Sequence, residues 1–214
     1  AALEELIQKV QELDMDEVRA EIEKHYAAKT PNYECAEYED FRVMLEKEKA
    51  IDAVLIATPD HLHAYIAILA MKAGKHAATE VPAALTTDDC WRLVETSEST
   101  RRHCVMMENC NYDRFEMMVL NMVHQHVFGE LLHARCGYLH DLRAVKHDLE
   151  GEGSWRRAHS MTTNGDLYPT HGLGPVAQCF EINRGNRFRY LTSMSSQEAA
   201  FTEHARQTGN QSYA

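Results

Sequence analysis

"IDAVLIATPDHLHAYIAILAMKAGKHAATE", residues 51–80, is the stretch that decides the fold. It opens on "IDAVLIATP", a short apolar run rich in β-branched residues, which reads as a strand buried on both faces. Asp60 can cap a helix from about His61 to Ala73, and Gly74 is placed to end it. "KHAATEV", 75–81, reads as the next strand. The alternation then repeats: a helix from about Thr87 to Ser99 with Thr86 and Asp89 as a capping box, a strand over 103–110, and an amphipathic helix over 113–128. Strand–helix–strand–helix order implies parallel strands with right-handed crossovers, so the predicted class is α/β, a doubly wound parallel sheet.

Upstream, Leu3, Leu6, Ile7, Val10, Leu13, Val18 and Ile22 recur at helical spacing until Pro31 and Asn32 break the pattern, and a second short helix is expected from Glu39 to Lys49. Downstream, 130–141 alternates like a longer strand, and the polar, glycine-punctuated stretch from 143 to 166 reads as a long loop. A helix is expected from about Leu173 to Ile182 and a further strand over "RFRYLTSMSS", 187–196. The polar remainder, 197–214, carries no stop signal.

Composition narrows the function classes. A chain of 214 residues with 44% hydrophobic and 26% charged side chains is ordinary for a globular protein. Its net charge of −11 argues against nucleic acid or an anionic membrane as partner, since both reward a basic face. Residues 1–50 carry 14 acidic and 7 basic side chains, so −7 of that charge lies there. No apolar run reaches the length of a membrane span and no charged leader precedes an apolar core, so the expected address is cytoplasmic unless an export signal has been removed. The six cysteines form no C-x-x-C pair and read as reduced thiols.

Ligands of open α/β sheets bind at the carboxyl ends of the strands. Three strand ends carry polar clusters, "TPDHLH" (58–63), "TEVPAA" (79–84) and "ENCNYDR" (108–114), which together suggest a cleft lined by Asp60, His61, His63, Glu80, Glu108 and Asn109. Singly, each has a structural alternative, such as a cap at Asp60. The pairs His61-x-His63 and His124-x-His126 would point to different helix faces and find no third ligand, so no metal is expected. "GLGPVA", 172–177, imitates a dinucleotide fingerprint, but a polar loop precedes it rather than a strand; as a phosphate cradle it is a false match.

"DAVLIATPDHLHAYIAILAMKAGKHAATEVPAA" resembles the Gfo/Idh/MocA oxidoreductase superfamily in its strand ending in Thr-Pro, its His five residues beyond that Thr, its A-G-K-H and its E-x-P. Dehydrogenases of that superfamily usually carry a catalytic lysine inside E-x-P, where this chain has Val81. "EVPAALTTDDCWRLVETSE", "HCVMMENCNYDRFEMMVLNMV", "GYLHDLR", "NGDLYPTHGLGPVAQCFEINRG" and "YLTSMSS" are similar, more specifically, to family 109 glycoside hydrolases, NAD-dependent enzymes of α-N-acetylgalactosaminidase type. The resemblance runs from about 51 to 196. Beside the helical segment read over 1–50, it implies a partial Rossmann-type NAD-binding domain over 51–129 and the start of a second α/β domain, a partial substrate domain, over 130–214.

The resemblance further implies that Asp60, His61, Leu62, His63, Glu80, Val81 and Asn109 border NAD. Tyr138, Arg156, Tyr168, Pro169, Thr170 and His171 would meet a small glycoside substrate, with Tyr168 and His171 as the proton-handling catalytic pair. The implied chemistry differs from hydrolysis by two carboxylates. The sugar is oxidised at C3, loses its C2 proton, eliminates the C1 substituent, takes up water and is reduced again. The family's strand and glycine-rich loop before residue 51 have no counterpart in the sequence, whose first glycine is Gly74, and its later strands are missing too. The expectation is therefore a chain shortened at both ends. Besides the glycosidase reading stand a non-catalytic binding or interaction protein, whose acidic N-terminal helices replace the lost strand and shield the edge through a homo-oligomer, and a Gfo/Idh/MocA dehydrogenase of another sugar, which Val81 disfavours.

Overall fold

The computed structural model describes residues 20–21, 24, 35–148, 151–163 and 165–209. Contacts group the chain into two compact units, 1–41 and 42–214, and the sheet with its covering helices belongs to the second. The helix expected over the first thirty residues lies almost wholly outside the described residues.

Helix α1 spans Phe41–Lys47 and buries Leu45. Strands β1 (Ala53–Ile56), β2 (His76–Thr79) and β3 (Cys104–Met106) form one parallel sheet in the order β1-β2-β3, with Ile56 opposite Thr79 and Thr79 opposite Met106. Lys75, buried just before β2, donates from Nζ to the carbonyls of Glu48 (2.5 Å) and Ile51 (2.9 Å), which ties the entry of β1 to that of β2. Helix α2 (His63–Lys72) buries His63, Ala64, Ile66, Ala67, Ile68, Ala70 and Met71, and the small side chains at 67 and 70 let it lie close to the sheet. Gly74, at φ +81°, ends that turn as expected. Helix α3 (Thr87–Thr100) starts where Thr86 Oγ1 accepts the Asp89 amide at 3.1 Å, a cap worth about 0.5–2 kcal/mol.

Two expectations for this half are corrected. β1 is not buried on both faces: Ile56, Ala77 and Thr79 are covered, but the opposite row keeps Leu55 67% and Val105 54% exposed, because no described residue packs over it. Asp60 does not cap a helix. It begins a short 3-10 turn (Asp60–Leu62) that precedes α2, and neither of its carboxylate oxygens has a hydrogen-bond partner.

Beyond β3 a 3-10 segment (Asn109–Tyr112) leads into helix α4 (Arg114–His124). The stretches 130–141 and 187–196, expected as strands, are extended but join no ladder among the described residues. An alternating pattern makes a strand only where a neighbour takes up its backbone hydrogen bonds. The expected loop of 143–166 instead contains helices α5 (Arg143–Lys146) and α6 (Glu152–Thr162). Helix α7 (Thr170–Cys179) starts three residues before the expected Leu173 and carries Pro175 inside it. The 197–214 remainder contains helix α8 (Ala200–Thr208). Among the described residues no helix is long and apolar enough to cross a membrane.

Candidate active site

A pocket of about 310 Å³ opens at the carboxyl ends of β1 and β2, where an open α/β sheet places its ligands. One wall is built from Ala57, Thr58, Asp60, His63, Glu80 and Val81. The other comes from residues far along the chain: Tyr138 and His140 in the extended segment, Trp155 and Arg156 on α6, and Tyr168 and His171 around the start of α7.

The two walls differ in chemistry. His63 is 1% exposed and works as a brace, with Nδ1 at 2.7 Å from the Pro82 carbonyl and Nε2 at 2.8 Å from the Thr58 carbonyl. It thereby fixes the loops after β1 and β2 relative to each other. Asp60, 3% exposed, lies 4.0 Å from the His61 ring. A carboxylate buried without donors is costly unless a ligand supplies them.

Opposite, His171 Nδ1 lies 2.6 Å from Glu108 Oε1, with side chains only 8% and 3% exposed. That contact places the imidazole proton on Nδ1 and turns a basic Nε2 away from the carboxylate. The Tyr138 and Tyr168 rings flank the imidazole at centroid distances of 4.3 and 5.9 Å. Arg156 donates to the Tyr168 hydroxyl at 2.6 Å and lies over the Trp155 ring at 4.3 Å. A cationic donor on a phenol oxygen stabilises the negative charge that appears when its proton leaves. Cys110 Sγ lies 3.3 Å from His171 Nδ1; partial burial and then the Glu108 charge push its thiol above the ordinary range, so it is no ready nucleophile.

Of the residues singled out in the sequence, Asp60, His63, Glu80, Val81, Tyr138, Arg156, Tyr168 and His171 line this one pocket. The others stand beside it. His61 is half exposed with its ring centroid 6.1 Å from Trp155, and Leu62 closes the 3-10 turn. Asn109 is exposed at the start of the second 3-10 segment. Pro169 is the residue preceding α7, and Thr170 opens the helix with its hydroxyl buried and without a hydrogen-bond partner. His140, Leu142, Val145 and Trp155 escaped the sequence reading. Trp155, one of two tryptophans and set in a polar run with Arg156, was the available signal.

Both walls fall within regions that match known families. Residues 3–109 match the Gfo/Idh/MocA oxidoreductase family with its NAD-binding Rossmann fold. The chain belongs to this family. Residues 112–214 match the C-terminal domain of glycosyl hydrolase 109, so both halves agree with the resemblance, and the first match reaches well upstream of residue 51. A glycosyl hydrolase family 109 protein of Solibacter usitatus (strain Ellin6076) is 52% identical over 163 residues, 76% of this chain and 37% of that protein. One of Shewanella pealeana (strain ATCC 700345 / ANG-SQ1) is 57% identical over 147 residues, 68% and 32% respectively. The chain thus spans about a third of the length of the relatives it matches. Among solved structures, an NAD-binding protein from Listeria innocua is 32% identical at a TM-score of 0.41, covering 44% of this chain and 26% of that one.

NAD is the cofactor this family's fold holds, and the donor-starved Asp60 carboxylate in a pocket edge fits the hydroxyl- and amide-bearing nicotinamide end. The first glycine of this sequence is Gly74, after β1, so the glycine-rich turn that cradles a pyrophosphate is not among the residues described.

Proposed function

We propose that this chain carries the catalytic pocket of an NAD-dependent glycosidase acting on α-N-acetylgalactosaminides. The observation that carries this reading is the facing of the two walls: Tyr168 and His171 share one cavity with the strand ends where the cofactor belongs. Bound NAD supplies a hydride acceptor and donor at a sugar carbon. The remaining work falls to side chains. In this reading Asp60, His61, Leu62, His63, Glu80, Val81 and Asn109 border the cofactor. Arg156 and Tyr138 orient the sugar, with Pro169 and Thr170 shaping the rim.

His171 Nε2 takes a proton from the sugar while Glu108 steadies the imidazolium that forms. Tyr168 exchanges its proton with the departing or entering oxygen while Arg156 holds the resulting charge. The pair Tyr168 and His171 is the catalytic one; Glu108 acts through His171. The division into 1–50, 51–129 and 130–214 belongs to the same reading, as does a homo-oligomer burying exposed Leu55 and Val105.

The test is release of an aryl leaving group from an α-N-acetylgalactosaminide in the presence of NAD⁺. Tyr168→Phe and His171→Ala should each slow release about a hundredfold, the usual scale for proton-transfer groups. Unchanged rates in both variants end the role assignment. A second reading is a binding protein on the same scaffold. It is distinguished by calorimetric sugar binding with no turnover at saturating NAD⁺.

A further inference from the structure

Glu108, Cys110 and His171 bring a carboxylate, a thiol and an imidazole to one point, with their donor atoms all within 4.8 Å of one another. Two come from the end of β3 and the 3-10 turn after it, and the third from the first turn of α7. His171 Nδ1 lies 2.6 Å from Glu108 Oε1 and 3.3 Å from Cys110 Sγ. The second carboxylate oxygen, Glu108 Oε2, is buried without a hydrogen-bond partner in a side chain only 3% exposed. Asn111 Oδ1, also buried without a partner, belongs to the same turn. Those two oxygens ask for positive charge or a donor, and no described side chain provides one.

We propose that this cluster is a binding site for a thiophilic divalent cation of the zinc or cobalt type, held by Glu108, Cys110 and His171. The donor set decides the class. One thiolate, one imidazole and one carboxylate suit Zn²⁺ or Co²⁺, whereas Mg²⁺ and Ca²⁺ prefer all-oxygen shells. Charge agrees, because a carboxylate and a thiolate neutralise a dication in a partly desolvated place. A bound dication also holds the sulfur as thiolate. Tetrahedral zinc has Zn–N and Zn–O near about 2.0–2.1 Å and Zn–S near about 2.3 Å, so its ligands stand further apart than a hydrogen bond. Reaching that arrangement requires the Glu108–His171 contact to open by roughly 1 Å, within the reach of χ rotation. With three protein ligands, the fourth position is left to water or to an incoming ligand, the pattern of an open site.

The cation site stands independently of the glycosidase reading, and its consequence for catalysis rests on that reading. A cation on His171 Nδ1 replaces the hydrogen bond to Glu108, so metal and the Glu108-steadied imidazole exclude each other.

The experiment is a Co²⁺ titration of the purified, reduced, chelator-stripped chain, reading the thiolate-to-cobalt charge-transfer band in the near ultraviolet. Wild type should develop the band with one cobalt per chain, and Zn²⁺ should displace it. Cys110→Ser should abolish the band, and Glu108→Gln should weaken Co²⁺ binding at least about tenfold. Cys90→Ser and Cys179→Ser should leave it unchanged. Folding is checked by circular dichroism. Independently of any variant, Zn²⁺ should protect Cys110 from alkylation in wild type, read by mass spectrometry residue by residue. No band in wild type, a band that survives Cys110→Ser, or equal alkylation of Cys110 with and without Zn²⁺ overturns the site. None of these readouts depends on NAD or on turnover.

Discussion

Asp60 is the residue whose position is hardest to justify by stability. Its side chain is 2% exposed, both oxygens lack hydrogen-bond partners, and the nearest counter-group is the His61 ring at 4.0 Å. A buried acceptor left unmade costs about 1–3 kcal/mol, more when charged. Asp60→Asn keeps the shape and removes the charge. It should therefore raise the urea midpoint of the ligand-free chain, by about 1 kcal/mol in stability, while raising the NAD⁺ dissociation constant at least about tenfold, or about 1.4 kcal/mol. Urea unfolding and calorimetry check the two halves separately. A destabilised Asn variant would mean that the carboxylate supports the fold, and the cofactor role would lose its ground. The strand-end residues, Asp60 among them, were legible because "TPDHLH" sits where a parallel strand must end. The Glu108–His171 pair was not. Glu108 was placed in the cleft, but its partner lies 63 residues away and no spacing rule links them.

Helix α7 shows why the glycines of "GLG" are where they are. A Cβ on Gly174 would stand 2.8 Å from Asn111 Oδ1 and 3.1 Å from Glu108 Cγ, and one on Gly172 3.2 Å from the Gly137 amide nitrogen. The glycines let α7 come close to the 3-10 turn after β3, which is what brings His171 to Glu108. They lie inside α7 and not in a turn between a strand and a helix. Gly174→Ala should push the helix away, cost about 1–3 kcal/mol in unfolding free energy and slow any His171-dependent reaction. Gly137→Ala, with nothing within 4 Å of its Cβ position, should stay within about 0.5 kcal/mol of wild type. Equal stabilities for both variants would remove close packing as the reason for Gly174.

Elements were legible in proportion to how local their cause is. The Thr86 cap and the Gly74 stop follow from a few neighbouring residues, and both stand as read. Helices α5 and α6 were missed because the 143–166 run is polar and glycine-punctuated, although Val145 and Trp155 face the pocket. The alternation at 130–141 and 187–196 was real, but strand formation also needs a neighbouring strand, which no single segment encodes.

At the scale of the whole chain, the pocket is the feature that joins the two family matches. Its walls come from 57–81 on one side, within the region matching the NAD-binding Rossmann fold, and from 138–171 on the other, within the region matching the glycosyl hydrolase C-terminal domain. A ligand touching only the strand ends would steady only the first; one filling the cavity must steady both. Binding to the native state stabilises by RT ln(1 + [L]/Kd), about 2.7 kcal/mol at a hundredfold excess over Kd. In the proposed reading, NAD⁺ alone should raise the melting temperature and slow amide exchange mainly over 57–81. N-acetylgalactosamine added to the NAD⁺ complex should extend protection to 138–171 and tighten NAD⁺ binding by the same factor by which NAD⁺ tightens the sugar. Exchange mass spectrometry with each ligand alone and with both supplies the comparison. Protection confined to 57–81 under every condition would separate the walls functionally, leaving a cofactor-binding half beside a helical half that takes no part in the chemistry.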